Sequence, residues 1–139
     1  MEGVYHLKRG NIYTIEDKTF FTMGGALSID KHLRIENVNW WKEEEISYND
    51  IENGLDNLEK VNFEVDYVLT HTAPQFLIEG IYKYSKYTPH KDPASKTLNL
   101  FYDRIKFKNN WMFGHLHIDT SYMDNKFISL YERVVKLWF

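Results

Sequence analysis

Apolar and polar residues alternate over the first third of the chain and take up helical spacing further on, so strands and helices are both predicted. Residues 11–16 and 19–23 alternate or run apolar on either side of Asp17-Lys18, the pattern of a β-hairpin with a short turn. Gly24-Gly25 ends the second run and permits close backbone approach. Ser47, with Asp50 one helical turn on, starts a helix whose apolar positions Ile51, Leu55, Leu58 and Val61 share one side. Residues 63–71 read as a buried strand that ends on His71. Asp92-Pro93 pairs an N-cap with proline at the first helical position, and Leu98, Phe101, Tyr102 and Ile105 form the inner stripe of that helix. Residues 111–115 make the next strand, 117–123 and 127–131 a hairpin across Asp124-Asn125, and 134–138 a final strand. The order β-β-α-β-α-β-β-β predicts one α/β domain over residues 1–139, a sandwich flank with two main helices.

Within this frame the chemistry gathers around three histidines. His115-Leu116-His117 follows Trp111-Met112-Phe113-Gly114, and on a strand residues i and i+2 face the same way, so both imidazoles would turn toward one site. His71 closes the run Tyr67-Val68-Leu69-Thr70, and the carboxyl end of a buried strand is where α/β proteins place ligand chemistry. Neutral imidazole is the commonest metal-binding side chain, and three of them with a water make a zinc site. The expected cofactor is one zinc or manganese ion per chain, held by His71, His115 and His117. Asp30 and Asp119 are candidates to accept the N–H that a ligating imidazole leaves over. Asp30 reads equally as the N-cap of a short turn over residues 31–34. His6, His32 and His90 read as surface or packing residues.

Composition narrows the setting. A chain of 139 residues can bury a real core, and an aromatic content of 17% makes much of it Phe, Tyr and Trp. The absence of cysteine excludes disulfides and thiolate metal sites and fits a reducing compartment. No apolar run reaches the roughly 18–20 residues that span a bilayer, and no charged-then-apolar leader opens the chain, so a cytoplasmic protein without a membrane partner is expected. The net charge of −3 argues against generic nucleic-acid binding. That charge is uneven: acids dominate from Glu36 to Asp66, and bases dominate from Lys83 to Lys108, interleaved with Tyr82, Tyr84, Tyr87 and Tyr102. A dipolar surface suits docking to a charged protein. Nucleic-acid binding through the Lys83 to Lys108 segment is an alternative that predicts steep salt dependence. Trp40-Trp41 is a core plug or an interaction anchor, and the plug is the expectation.

Gly24-Gly25-Ala26-Leu27-Ser28-Ile29-Asp30-Lys31, Trp40-Trp41, Leu69-Thr70-His71-Thr72-Ala73-Pro74 and Gly114-His115-Leu116-His117 together resemble the calcineurin-like metallophosphoesterases. The resemblance covers nearly the whole chain and matches the C-terminal part of that family's domain. It implies a truncated metallophosphoesterase-like β-sandwich, with His71 and His115 toward one metal and His117 toward the other. The family's Asp-x-His, Gly-Asp-x-x-Asp and Gly-Asn-His motifs are absent, and Ile12 follows Gly10-Asn11 where the catalytic histidine would be required. Two-metal hydrolysis needs both ions about 3.5–4 Å apart, and no bridging carboxylate is present to set that spacing. The chain alone is therefore expected to have no phosphoesterase activity, and a second chain could complete the site. Missing strands would leave a strand edge and an apolar face uncovered, which implies a homodimer or a complex with another protein. The chain also resembles a phage-encoded metalloprotein anti-CRISPR, which implies a non-enzymatic inhibitor with a Cas9-type effector as partner.

Overall fold

The computed structural model describes residues 3–28, 31–89 and 91–137. It is a mixed α/β fold. Strands β1 (Asn11–Ile15) and β2 (Lys18–Met23) form the predicted hairpin, with the turn at Glu16-Asp17, where both residues have positive φ. Helix α1 (Tyr48–Glu59) begins at Ser47: the Ser47 hydroxyl accepts from the Asp50 amide at 3.1 Å, and the Asp50 carboxylate accepts from the Ser47 amide at 2.8 Å. Strands β3 (Glu64–Val65) and β4 (Tyr67–Thr70) follow, then α2 (Gln75–Tyr82) and α3 (Pro93–Tyr102), with Asp92 capping α3 through the Ala94 amide at 2.8 Å. Strands β5 (Lys106–Phe107), β6 (Trp111–Phe113), β7 (Thr120–Tyr122) and β8 (Phe127–Ser129) complete the order.

Six strands form one sheet in the order β1-β2-β4-β6-β8-β7, and β3 with β5 forms a small second sheet. Strands β2, β4, β6 and β8 run parallel, so their carboxyl ends lie along one rim. Alternate side chains serve opposite faces of the sheet. Phe21, Met23, Val68, Trp111, Phe113 and Phe127 meet Leu58 of α1, Leu77 and Ile78 of α2, and Leu98 and Phe101 of α3 in the main core. Helix α1 comes so close that a side chain at Gly54 would sit 2.9 Å from Met23 Cε and 3.1 Å from Phe101 Cζ. Phe20, Tyr67, Met112 and Ile128 form the second face, packed by Leu69, Leu130, Val135 and Leu137.

Several sequence expectations are corrected here. The strand expected over residues 63–71 is two strands: Asp66 accepts from the Thr19 amide and hydroxyl at 2.9 and 3.0 Å and turns the chain from the small sheet into the large one. A third helix, α2, lies where no helix was expected. No strand forms over residues 134–137, and Trp138 lies outside the described residues. Instead Val135 and Leu137 lie on the second sheet face, so Phe20, Tyr67, Met112 and Ile128 are all buried and that face is not left uncovered. Trp40 is buried, as a plug should be, while Trp41 is 44% exposed. No helix among the described residues is long and apolar enough to cross a membrane.

Candidate metal centre

The carboxyl ends of β2, β4 and β6 open into a cleft of about 870 Å³. Each strand delivers a different element to it. After Met23 comes the loop from Gly24 to Ser28; Gly25 has φ +128°, and a Cβ there would stand 2.8 Å from Ile46 Cγ1 and 2.9 Å from the Glu44 carbonyl oxygen. This is the close approach expected of the Gly24-Gly25 pair, and it brings the Glu44 segment to the cleft wall.

After Thr70 comes His71. The buried Trp111 indole donates to the Thr70 hydroxyl at 2.8 Å, and that hydroxyl donates onward to the Thr72 carbonyl at 2.6 Å. The chain on both sides of His71 is thereby fastened to β6. The Gly114 amide donates to the His71 carbonyl at 3.0 Å, which binds the third element to the second.

After Phe113 the strand stops, and this corrects the premise that His115 and His117 share a strand face. The Leu116 amide bonds to the Gly114 carbonyl at 2.8 Å across His115, which has φ +68°. That is the rare, strained hand of the γ-turn. His117 is left-handed as well, at φ +53°. For residues that are not glycine this conformation costs free energy and persists only where the surroundings hold it.

The outcome is a pair rather than a triad. His71 Nε2 and His115 Nδ1 lie 3.0 Å apart, with the ring planes inclined at 64°. His117 lines the same cleft, but its ring stacks on Tyr131 with centroids 4.8 Å apart. Among the described residues, no three His, Asp or Glu side chains gather closely enough to hold an ion. Asp119 is engaged elsewhere: its carboxylate accepts from the Tyr131 and Glu132 amides at 2.7 and 3.0 Å, and these bonds hold its pKa below the usual carboxylate value. Asp119 thus anchors the turn that carries Tyr131 beneath His117. Asp30 and His90 lie outside the described residues.

Two acidic residues that the sequence did not mark as site residues stand beside the pair. Asp92 accepts from the Leu27 amide at 3.2 Å while it caps α3, so it ties the glycine loop to that helix. Glu44 accepts from the Ser28 hydroxyl at 2.8 Å and from the Trp41 amide at 3.2 Å. The motif Asp92-Pro93 announced a helix start; nothing in it announced a cleft wall.

Both histidines open onto the cleft, yet the protein crowded around their rings strips away enough water to lower both pKa values below the ordinary imidazole value. For His71 the neighbouring His115 adds to this depression, and Asp92 and Glu44 oppose it. For His115, Asp92 opposes and His117 adds. The pair is therefore held neutral near pH 7, the protonation state that metal coordination requires.

The pair supplies two imidazole donors, fewer than the three protein ligands of a zinc site that keeps one position for water. Two imidazole nitrogens, each about 2.1 Å from a shared ion, stand about 3.0–3.4 Å apart across a right-angled or tetrahedral edge. The 3.0 Å separation lies at the lower end of that range. Without an ion the same approach is a hydrogen bond between one protonated and one bare ring nitrogen. No family model matches the chain, and neither a curated protein nor a solved structure is found to be similar to it.

Proposed function

We propose that this chain binds one divalent transition-metal ion, zinc or manganese, between His71 and His115. In this reading the pair is the imidazole half of a metal centre of the calcineurin-like phosphoesterase kind, in a truncated sandwich of that type. The observation that carries it is the 3.0 Å approach of two neutral imidazole nitrogens at the carboxyl ends of adjacent parallel strands. An ion held by His71 and His115 would supply a positive charge at the cleft, where a phosphoryl group could bind. Hydrolysis needs more. Asp92 and Glu44, the carboxylates beside the pair, already accept hydrogen bonds from the Leu27 amide and the Ser28 hydroxyl. Among the described residues no carboxylate joins the pair in a metal-holding group, and in this reading the described cleft binds without turning over.

Elemental analysis on protein of known concentration, combined with a chromogenic phosphodiester assay in Mn²⁺, tests this. The expected result is one ion per chain, lost in His71→Ala, and no turnover above background. Metal-free protein after loading would overturn the metal reading. Turnover that disappears in His115→Ala would overturn the non-catalytic one.

A second reading, contact with a protein partner, is favoured by a separate observation. In the loop joining β2 to α1, Leu33, Ile35 and Val38 are each more than 60% exposed, and Trp41 is 44% exposed. Four exposed apolar side chains within nine residues of one loop suit a docking site. The same loop carries Arg34 and Glu44 to the cleft wall, so a protein seated on it would border the histidine pair.

A further inference from the structure

Both faces of the large sheet are packed, but its two edges differ. Strand β7 ends the sheet on one side and is 3 residues long, and so short an edge offers little to pair with. Strand β1 ends it on the other side with the 5 residues Asn11–Ile15. In a two-residue hairpin the pair that closes the turn exchanges hydrogen bonds, so Ile15, Tyr13 and Asn11 bond inward to Lys18, Phe20 and Thr22. The amides and carbonyls of Ile12 and Thr14 therefore point away from β2. Among the described residues, no strand pairs with that side and no other group bonds to them. Proteins usually blunt such an edge with lysine, proline or a bulge. Asn11–Ile15 contains neither lysine nor proline, and its register with β2 is unbroken. Asn53 and Asn57 of α1 donate to the Gly10 carbonyl at 3.1 and 2.8 Å, which fixes the start of the strand.

We infer that a second copy of this chain pairs with β1 across a two-fold axis, in antiparallel register centred on Tyr13. That register sets Ile12 of each copy opposite Thr14 of the other, so the outward groups of both strands are satisfied together. Charge selects the direction. Exposed Lys8 precedes the strand, followed by Arg9, and exposed Glu16 and Asp17 form its turn. Antiparallel pairing carries the basic end of each strand past the acidic turn of the other, whereas parallel pairing would set like charges side by side. Arg9 already faces Asp50 at 3.5 Å, so Lys8 is the cation that answers the turn of the second copy. The inference is independent of the metal reading, because Asn11–Ile15 contributes no residue to the cleft.

The test is the molar mass of the full chain by sedimentation equilibrium from low micromolar to near-millimolar concentration, with EDTA present to exclude bridging by metal. The mass is expected to rise with concentration from 16.7 kDa toward twice that value. Thr14→Pro removes an outward amide without touching a bond to β2, and should hold the chain at the monomer mass. Lys8→Glu should weaken the association about threefold or more, and adding Glu16→Lys should restore it. Lys8 and Glu16 are exposed, so this charge exchange decides the matter even if Thr14→Pro fails to fold, which circular dichroism checks for each variant. A monomer at every concentration would overturn the inference. So would a dimer that keeps its strength in folded Thr14→Pro, or one indifferent to Lys8→Glu.

Discussion

Trp111 and His115 belong to one short stretch of chain and are held in opposite ways. Trp111 is fully buried, its backbone extended and paired with Val68 on one side and Phe127 on the other. Its ring lies 5.7 Å from that of Phe127, among Tyr102 and Phe107. His115 is exposed to the cleft, its backbone left-handed, its ring directed at another imidazole whose charge would repel its own. The first arrangement is what burial of apolar area produces by itself. The second gains little from burial and carries strain, so stability does not account for it. Under the proposed function, the strain at His115 and His117 and the depressed imidazole pair serve a ligand.

That contrast can be broken most forcefully from the core side. Phe127→Ala removes a fully buried ring that touches Trp111, Phe76 and Phe107, and should cost about 3–5 kcal/mol, read from the urea midpoint. If enough stability remains for folding, zinc affinity should change little. A large loss of affinity in folded Phe127→Ala would show that core and rim are not separable.

Asp92→Ala acts on both regions, since one carboxylate caps α3 and holds the Leu27 amide. It should cost about 1 kcal/mol, the usual worth of an N-cap, and loosen the loop from Gly24 to Ser28. Asp92→Asn keeps an acceptor at the cap and should recover most of that stability. Equal losses in both variants would mean that the charge, not the cap, is what matters.

The smallest effect is on pH. Folding depresses the pKa of both His71 and His115, so below the ordinary value, about 6.5, the unfolded chain binds more protons than the folded one. The contribution of the pair is therefore present above that pH and is lost as pH falls through the lower, folded values. Metal-free protein should show a modest drop in urea midpoint between pH 7 and pH 5, reduced in His71→Ala. A midpoint that rises on acidification would contradict the neutral pair.

Much of the core was legible from spacing. The Ser47–Asp50 cap, the Asp92-Pro93 start and the stripe through Leu98 and Phe101 obey local rules that the rest of the molecule does not override. Helix α2 carries no such signal: Pro74 stands at its cap position and offers no side-chain bond. The strand expected at the C-terminus failed for a different reason. Residues 134–137 have the alternation of a strand, with Val135 and Leu137 on the second face and Val134 96% exposed, but β7 already occupies the outer edge beside β8. Alternation reports which side chains are buried and says nothing about which strand edges are taken.

The candidate site was legible in its residues and not in its geometry. His71 stands at a strand end as its apolar run required. His115 and His117 were expected to converge because i and i+2 share a strand face, yet β6 ends at Phe113, where its pairing with Ser129 ends. What brings His115 to His71 is the γ-turn and the Gly114–His71 hydrogen bond, both of which depend on the neighbouring strand. His117, beyond that turn, goes to Tyr131 instead. Asp92 and Glu44 reach the cleft from distant parts of the chain, so no local pattern announces them.

The central claim, that His115 is held in an unfavourable conformation for the sake of an ion, is tested most directly by His115→Gly. Glycine adopts positive φ without the steric cost, so urea unfolding of metal-free protein should show stability unchanged or raised by up to about 1 kcal/mol. Zinc affinity, read by competition with a chromophoric chelator, should fall at least about a hundredfold, more than loss of an outer hydrogen-bond partner usually costs. A variant that loses stability and still binds zinc as the unsubstituted chain does would contradict the account.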